Sequence, residues 1–173
     1  MEFYHLDRLG NLKEGDILSL SPFSINSDIK GLIYHAAELF EDGVSRFGLN
    51  YLNQVGTPET MREWFWEYVR RSKYDHRPSR FQSFFGFATL EDIEELKRQF
   101  KIQTGSTYIV KCDNYFKADM NLVSYQNSPL LLSYLSNTYW TGNTGDELNA
   151  KFNREPVWEY LLTGEIKVIR KIE

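Results

Sequence analysis

Residues 156–169 read PVWEYLLTGEIKVI, and how they fold decides the architecture. Aromatic and β-branched residues dominate on both sides of Thr163-Gly164, so PVWEYLLT and EIKVIRKI read as two strands joined by a turn. Glu159 interrupts an otherwise apolar strand. A carboxylate in a half-buried strand costs on the order of several kcal/mol unless it is paired or its charge is used. Glu159 therefore marks either a buried partner or a site of chemistry.

Working outward, EFYHLDRL opens the chain as a short strand ending at Gly10-Asn11, and a turn at Glu14-Gly15-Asp16 leads into a second extended piece, Ile17-Leu18-Ser19-Leu20. Residues 34–53 read as a helix broken or bent near Gly43 and Gly48. A cleaner helix follows, with Thr57 as N-cap, Pro58 in its first position and an apolar stripe of Met61, Trp64, Phe65 and Tyr68. RRSKYDHRPSR reads as a basic loop and FQSFFGFA as a strand. Thr89 caps a helix, LEDIEELKRQF, with Leu90, Ile93, Leu96 and Phe100 on one face. Strands at 107–111 and 115–125, the second holding Asp119, a helix at 129–140 and a flexible loop TGNTGDELN complete the chain.

Strands at the ends and helices in the middle predict one α+β domain spanning residues 1–173, with a mixed or antiparallel sheet. The first strand and the final pair are expected to be neighbours, bringing His5 and Glu159 together. Twelve Phe, eleven Tyr and four Trp exceed what a minimal core needs, so some are expected to line a cleft or a contact surface. A net charge of -4 argues against bulk attraction to nucleic acid. The single cysteine, Cys112, cannot form an internal disulfide and follows the apolar run Tyr108-Ile109-Val110, as a buried, inert thiol in a reducing compartment would. MEFYHLDRLG carries no apolar signal region and no stretch has the ~18 apolar residues of a membrane span, which predicts a cytoplasmic protein without membrane contact.

Three histidines, His5, His35 and His76, with one cysteine and no H-x-x-x-H or C-x-x-C, give no support for a metal site. G-x-G-x-x-G, G-x-x-x-x-G-K and G-x-S-x-G are absent, which disfavours the common nucleotide folds and the serine-hydrolase elbow. What remains is an ordered set: His5 on a first strand, an aromatic strand running into a helix, and Glu159 on a late strand. A lone histidine such as His5 is more often a satisfied structural residue than a ligand.

That order resembles the ADP-ribosyltransferase superfamily, in its diphtheria-toxin-like and poly-ADP-ribose-polymerase-like branch. HLDRLGNLKEGDILSLSP, with Gly15 and Leu18, is similar to the family's first motif, SRFQSFFGFATLEDIEEL to its second and Glu159-Tyr160-Leu161-Leu162 to its third. The chain also resembles a group of bacterial proteins sharing SRFxSxFxF and WEYLxxGE. The resemblance implies a split mixed or antiparallel sheet with flanking helices around an NAD cleft. Within it His5 would hold the adenosine-side ribose, and Glu159 would be the catalytic group that stabilises the ribosyl cation as nicotinamide leaves. Phe84 or Phe85 stands where the family has tyrosine. It can stack on nicotinamide but supplies no hydroxyl, leaving a polar contact to Ser83 or Ser79.

Arg80, beside that motif, would join the NAD site or form a strand-edge salt bridge. Arg46 would contact the pyrophosphate or the acceptor, the plainer reading being a solvated helix arginine, and Arg71 and Arg77 would contact the acceptor. The implied activity is transfer of ADP-ribose to a macromolecule, protein or nucleic acid, by a toxin, effector or defence protein with an antitoxin or immunity partner. Two alternatives stay open. One is a catalytically inactive member that binds a ligand or a protein. The other is an RNA 2′-phosphotransferase, which grips phosphate with basic residues and does not need the late glutamate. Arg70, Arg71, Lys73, His76, Arg77 and Arg80, with Tyr74 among them, are expected to form an exposed basic rim fit for nucleic-acid phosphates; favourable cations at a helix C-terminus are the plainer reading. Asp119 and the loop from Trp140 to Glu147 would shape an acceptor site or, on the plainer reading, are ordinary surface structure.

Overall fold

The computed structural model describes residues 1–53, 56–124 and 128–172. Along the chain run β1 (Glu2–Asp7), β2 (Ile17–Leu18), α1 (Lys30–Leu39), α2 (Arg46–Leu52), α3 (Pro58–Lys73), a 3-10 turn (Arg80–Gln82), β3 (Phe84–Gly86), α4 (Leu90–Phe100), β4 (Ser106–Asp119), α5 (Asn121–Ser124), α6 (Pro129–Thr141), α7 (Asp146–Lys151) and β5 (Trp158–Lys171). The class is α+β, and the five-stranded sheet is antiparallel throughout.

Two long strands form its spine. β4 pairs with β5 from Tyr108↔Lys171 to Asp119↔Trp158, with register shifts between Ile109 and Val110 and between Cys112 and Asn114. The second shift lies opposite the expected turn at Thr163-Gly164. Gly164, at φ 76°, absorbs it as a bulge, because an unbranched backbone adopts that conformation without strain. With β4 continuing alongside, β5 runs on as one strand, and the expected final hairpin does not form. The strands expected at 107–111 and 115–125 are likewise one strand, β4, which ends at Asp119 where the chain turns into α5; Tyr125 lies outside the described residues.

β1 pairs with β4, from Glu2↔Lys111 to Asp7↔Ser106, so β4 separates it from β5 and the two are not neighbours. On the far edge of β5, β3 pairs with 160–162 and β2 with 166–167, leaving 163–165 between them. Tyr4 and Phe87 exchange both backbone hydrogen bonds at 2.8 Å, which curls the sheet until β1 touches the chain just past β3. Only part of FQSFFGFA is strand. Its opening winds into the 3-10 turn, where the Ser79 hydroxyl accepts from the Phe81 amide.

The expected caps form. Thr57 accepts from the Thr60 amide and Thr89 from the Asp92 amide, each in a reciprocal capping box. Residues 34–53 are two helices separated around Gly43, but Gly48 does not bend α2. It lies inside that helix because a Cβ there would sit 2.1 Å from the Phe81 carbonyl oxygen. One sheet face carries the core of Phe3, Phe84, Val110, Leu162, Ile166 and Val168. On the other, Leu161 and Phe116 meet Trp66 of α3 and Tyr139 and Trp140 of α6, while Phe87 and Val157 meet Ile93 and Leu96 of α4.

α3 departs from its expected orientation. Met61 is 63% exposed and Tyr68 57%, whereas Thr60, Glu63, Trp66, Glu67 and Arg70 are buried. A helix that turns two carboxylates inward needs cations opposite them.

Candidate functional site

The main cation opposite α3 is Arg80. Its 3-10 turn delivers the guanidinium beneath α3, where Nε donates to Glu63 Oε2 at 2.7 Å and Nη2 to Glu63 Oε1 at 3.1 Å. Nη1 donates to the Tyr139 hydroxyl at 2.5 Å and also bonds Glu159 Oε1. Tyr139 in turn donates to Glu159 Oε1 at 2.8 Å. Phe85 lies 4.9 Å from the guanidinium carbon, with Tyr139 at 5.3 Å and Phe47 at 5.9 Å, so aromatic rings close the cation in.

Burial alone would lower the Arg80 pKa, but Glu159 and Glu63 raise it well above its ordinary value and keep it charged. Burial raises Glu159, with Arg80 and Tyr139 pulling it back. Tyr139 is raised well above its usual range by burial. Glu159 has no exposed surface, and its Oε2 has no hydrogen-bond partner. The acid that interrupts the apolar strand is therefore the second carboxylate of a buried arginine. Glu63, Arg80, Tyr139 and Glu159 all lie within residues 3–173, which match one family of proteins of unknown function, DUF2441. The chain belongs to the DUF2441 family. No curated protein matches it.

Of the residues the sequence singles out, Glu159, Arg80 and Phe85 come together. His5 is next to them, its Nδ1 donating to the Phe85 carbonyl at 2.8 Å, since a carbonyl can only accept. Yet His5 and Glu159 do not open into one cleft. Strand alternation puts His5, opposite Tyr108, on the face of Phe3, and Glu159 on the face of Leu161. Phe84 joins the core on the His5 side. Ser83 is buried, its hydroxyl donating to the Ser79 carbonyl at 2.7 Å.

Arg46, first residue of α2, pairs with Asp7 at 3.7 Å and bonds Asn11. Asp7 itself accepts from the amides of Leu9, Asn11 and Leu12, which pins the turn after β1. Burial lowers the pKa of His5, partly offset by its bond to Phe85.

The segment 70–80 is not an exposed basic rim. Arg70 is buried with Nε and Nη2 donating to Glu67 and Nη1 to the Asp75 and Arg77 carbonyls, and Arg71 holds Glu67 at 2.7 Å and the Leu39 carbonyl at 2.7 Å. Arg77 lies over Phe116, its guanidinium carbon 4.5 Å from the ring centre. Only Lys73, Asp75 and His76 stand among the exposed charges or titratable groups of that loop. Asp119 is likewise no surface residue. It is fully buried and accepts from the Asn121 amide, the Gly145 amide and the Asn149 side chain, fastening the loop before α7. Cys112 is buried, as expected.

Glu63, Glu67 and Tyr139 were not legible as site residues. Their signal is the spacing Glu63, Glu67, Arg70, which puts two acids and a base on one helical stripe with Trp66. Among the described residues no group of three His, Cys, Asp or Glu could hold a metal ion, and no helix is long and apolar enough to cross a membrane. For NAD the fit fails at Glu159: a carboxylate with no exposed surface, one oxygen held by Arg80 and Tyr139, does not reach a ribose hydroxyl as it stands.

Proposed function

We propose that this chain is an ADP-ribosyltransferase-like protein that works by binding and not by group transfer. The observation that carries this reading is the commitment of Glu159 to Arg80 inside the fold. A carboxylate that stabilises a developing cation must face the place where that charge forms. Here it faces a guanidinium already balanced by Glu63, under a lid of Tyr139 and Phe85. His5 on the other face and phenylalanine in the second motif point the same way.

A second reading keeps the transfer chemistry, favoured by one feature: Glu159 Oε2 lacks a partner, and a buried polar atom without one costs about 1–3 kcal/mol. The RNA phosphotransferase reading needs free cations, and it is weakened because Arg70, Arg71 and Arg80 all hold glutamates. The discriminating experiment is nicotinamide release from NAD by the wild-type protein, with protein and RNA acceptors present. No release is expected. Release that disappears in Glu159→Gln would overturn the binding reading.

A further inference from the structure

Between β2 and β3, where residues 163–165 of β5 have neither strand beside them, the fold leaves a cavity of about 430 Å³. Its apolar floor is Leu20, with the edges of the buried Leu18 and Phe84 beside it. Its wall is the loop after α3, and the decisive group there is Arg77. Arg70, Arg71 and Arg80 each hold a glutamate, but among the described residues Arg77 holds none, and its buried Nε has no hydrogen-bond partner. The Phe116 ring, 4.5 Å from the guanidinium carbon, restricts where this cation can sit.

The acids at the mouth do not change this. Asp42 and Asp75 are exposed, Asp75 with 88% of its side chain in solvent, so water satisfies them. The half-buried cation is the unbalanced charge.

We propose that this cavity binds a small organic anion whose phosphate or carboxylate pairs with Arg77 while its body lies on Leu20, beside Leu18 and Phe84. The proposal rests on the reading of the chain as a binding protein and gives that reading a ligand class. A guanidinium accepts either oxyanion through two parallel hydrogen bonds. The apolar floor selects an ion with an organic body over the bare one.

Calorimetric titration of the full chain with phenyl phosphate, benzoate and inorganic phosphate separates the possibilities. At least one of the two organic ions is expected to bind more tightly than inorganic phosphate, and which one does so names the headgroup. Arg77→Gln is expected to weaken that binding about tenfold or more, the loss of one charge-assisted pair. Leu20→Trp, which fills the floor and leaves Arg77 in place, is expected to abolish it. Absence of binding by both organic ions, or unchanged binding in Arg77→Gln with an unchanged thermal midpoint, overturns the site. Neither outcome bears on nicotinamide release, which tests Glu159 alone.

Discussion

Arg80 and Glu159 are bonded to each other with side chains 3% and 0% exposed, on segments 79 residues apart in sequence. Arg80 is shared with Glu63, whereas Glu159 depends on Arg80 and Tyr139 for its partners.

Glu159→Gln is therefore expected to be a stability variant first. Removing one partner of a buried pair costs about 3–5 kcal/mol when the remaining charge is orphaned. Glu63 stays bidentate on Arg80, glutamine still accepts a hydrogen bond and burial already disfavours the Glu159 charge, so the cost is that of a poorly paired buried amide, about 1–2 kcal/mol. For a chain of this size that is a fall of about 2–8 °C in thermal midpoint. A midpoint within about 1 °C of wild type would mean the pair contributes nothing, as exposed pairs do.

Tyr139→Phe keeps the ring and deletes a hydroxyl that accepts from Arg80 and donates to Glu159. A loss of about 1–3 kcal/mol is expected. Because the three groups form one network, the double variant with Glu159→Gln should deviate from additivity by about 0.5–3 kcal/mol. Strict additivity in denaturant melts would break the network into independent contacts.

His5 makes stability depend on pH with a definite sign. Its folded pKa lies below the ordinary 6.5 because burial disfavours the imidazolium. Its contribution is thus present above 6.5 and is lost as pH falls through the lowered folded value. Glu159, raised above 4.5, runs the other way: its contribution is present below 4.5 and fades as pH rises through the raised value. His5→Asn should flatten the decline on the acid side of neutrality without altering the alkaline side. A variant whose denaturation midpoint falls with acidity as steeply as wild type would assign that slope to another group.

The sequence made the helices legible through local chemistry. Thr57-Pro58 and Thr89 are caps whose partners lie three residues away, so nothing distant can override them. β5 departs from the expected hairpin because Gly164 carries the signature of a turn, and only the long partner β4 makes it a bulge. Glu159 was legible as anomalous, but its partner was not. Arg80 is remote in sequence, and on α3 the stripe of Glu63, Glu67 and Arg70 turns fully inward because it has arginines and glutamates to meet, leaving Met61 and Tyr68 exposed while Trp64 and Phe65 pack at its flanks.

Nucleic-acid binding through segment 70–80 is expected to be absent at physiological salt. Six basic or titratable groups occur there, but Arg70 and Arg71 share Glu67, and Arg80 holds Glu63 and Glu159. That leaves Lys73, whose ammonium reaches Asn137 at 3.3 Å, His76 beside Asp75 at 3.8 Å, and Arg77 over Phe116. Each neutralised phosphate adds about 0.9 to the slope of log affinity against log salt, so two free cations support a slope of about 2 at most. With a net charge of -4 opposing approach, such contacts are too few for stable complexes. Fluorescence anisotropy with labelled single-stranded RNA and duplex DNA, read across a salt series, tests this. A slope of about 4 or more, reduced by Arg71→Glu and Arg77→Glu, would mean that the arginine–glutamate pairs open on contact with phosphate and that the basic segment is the interface after all.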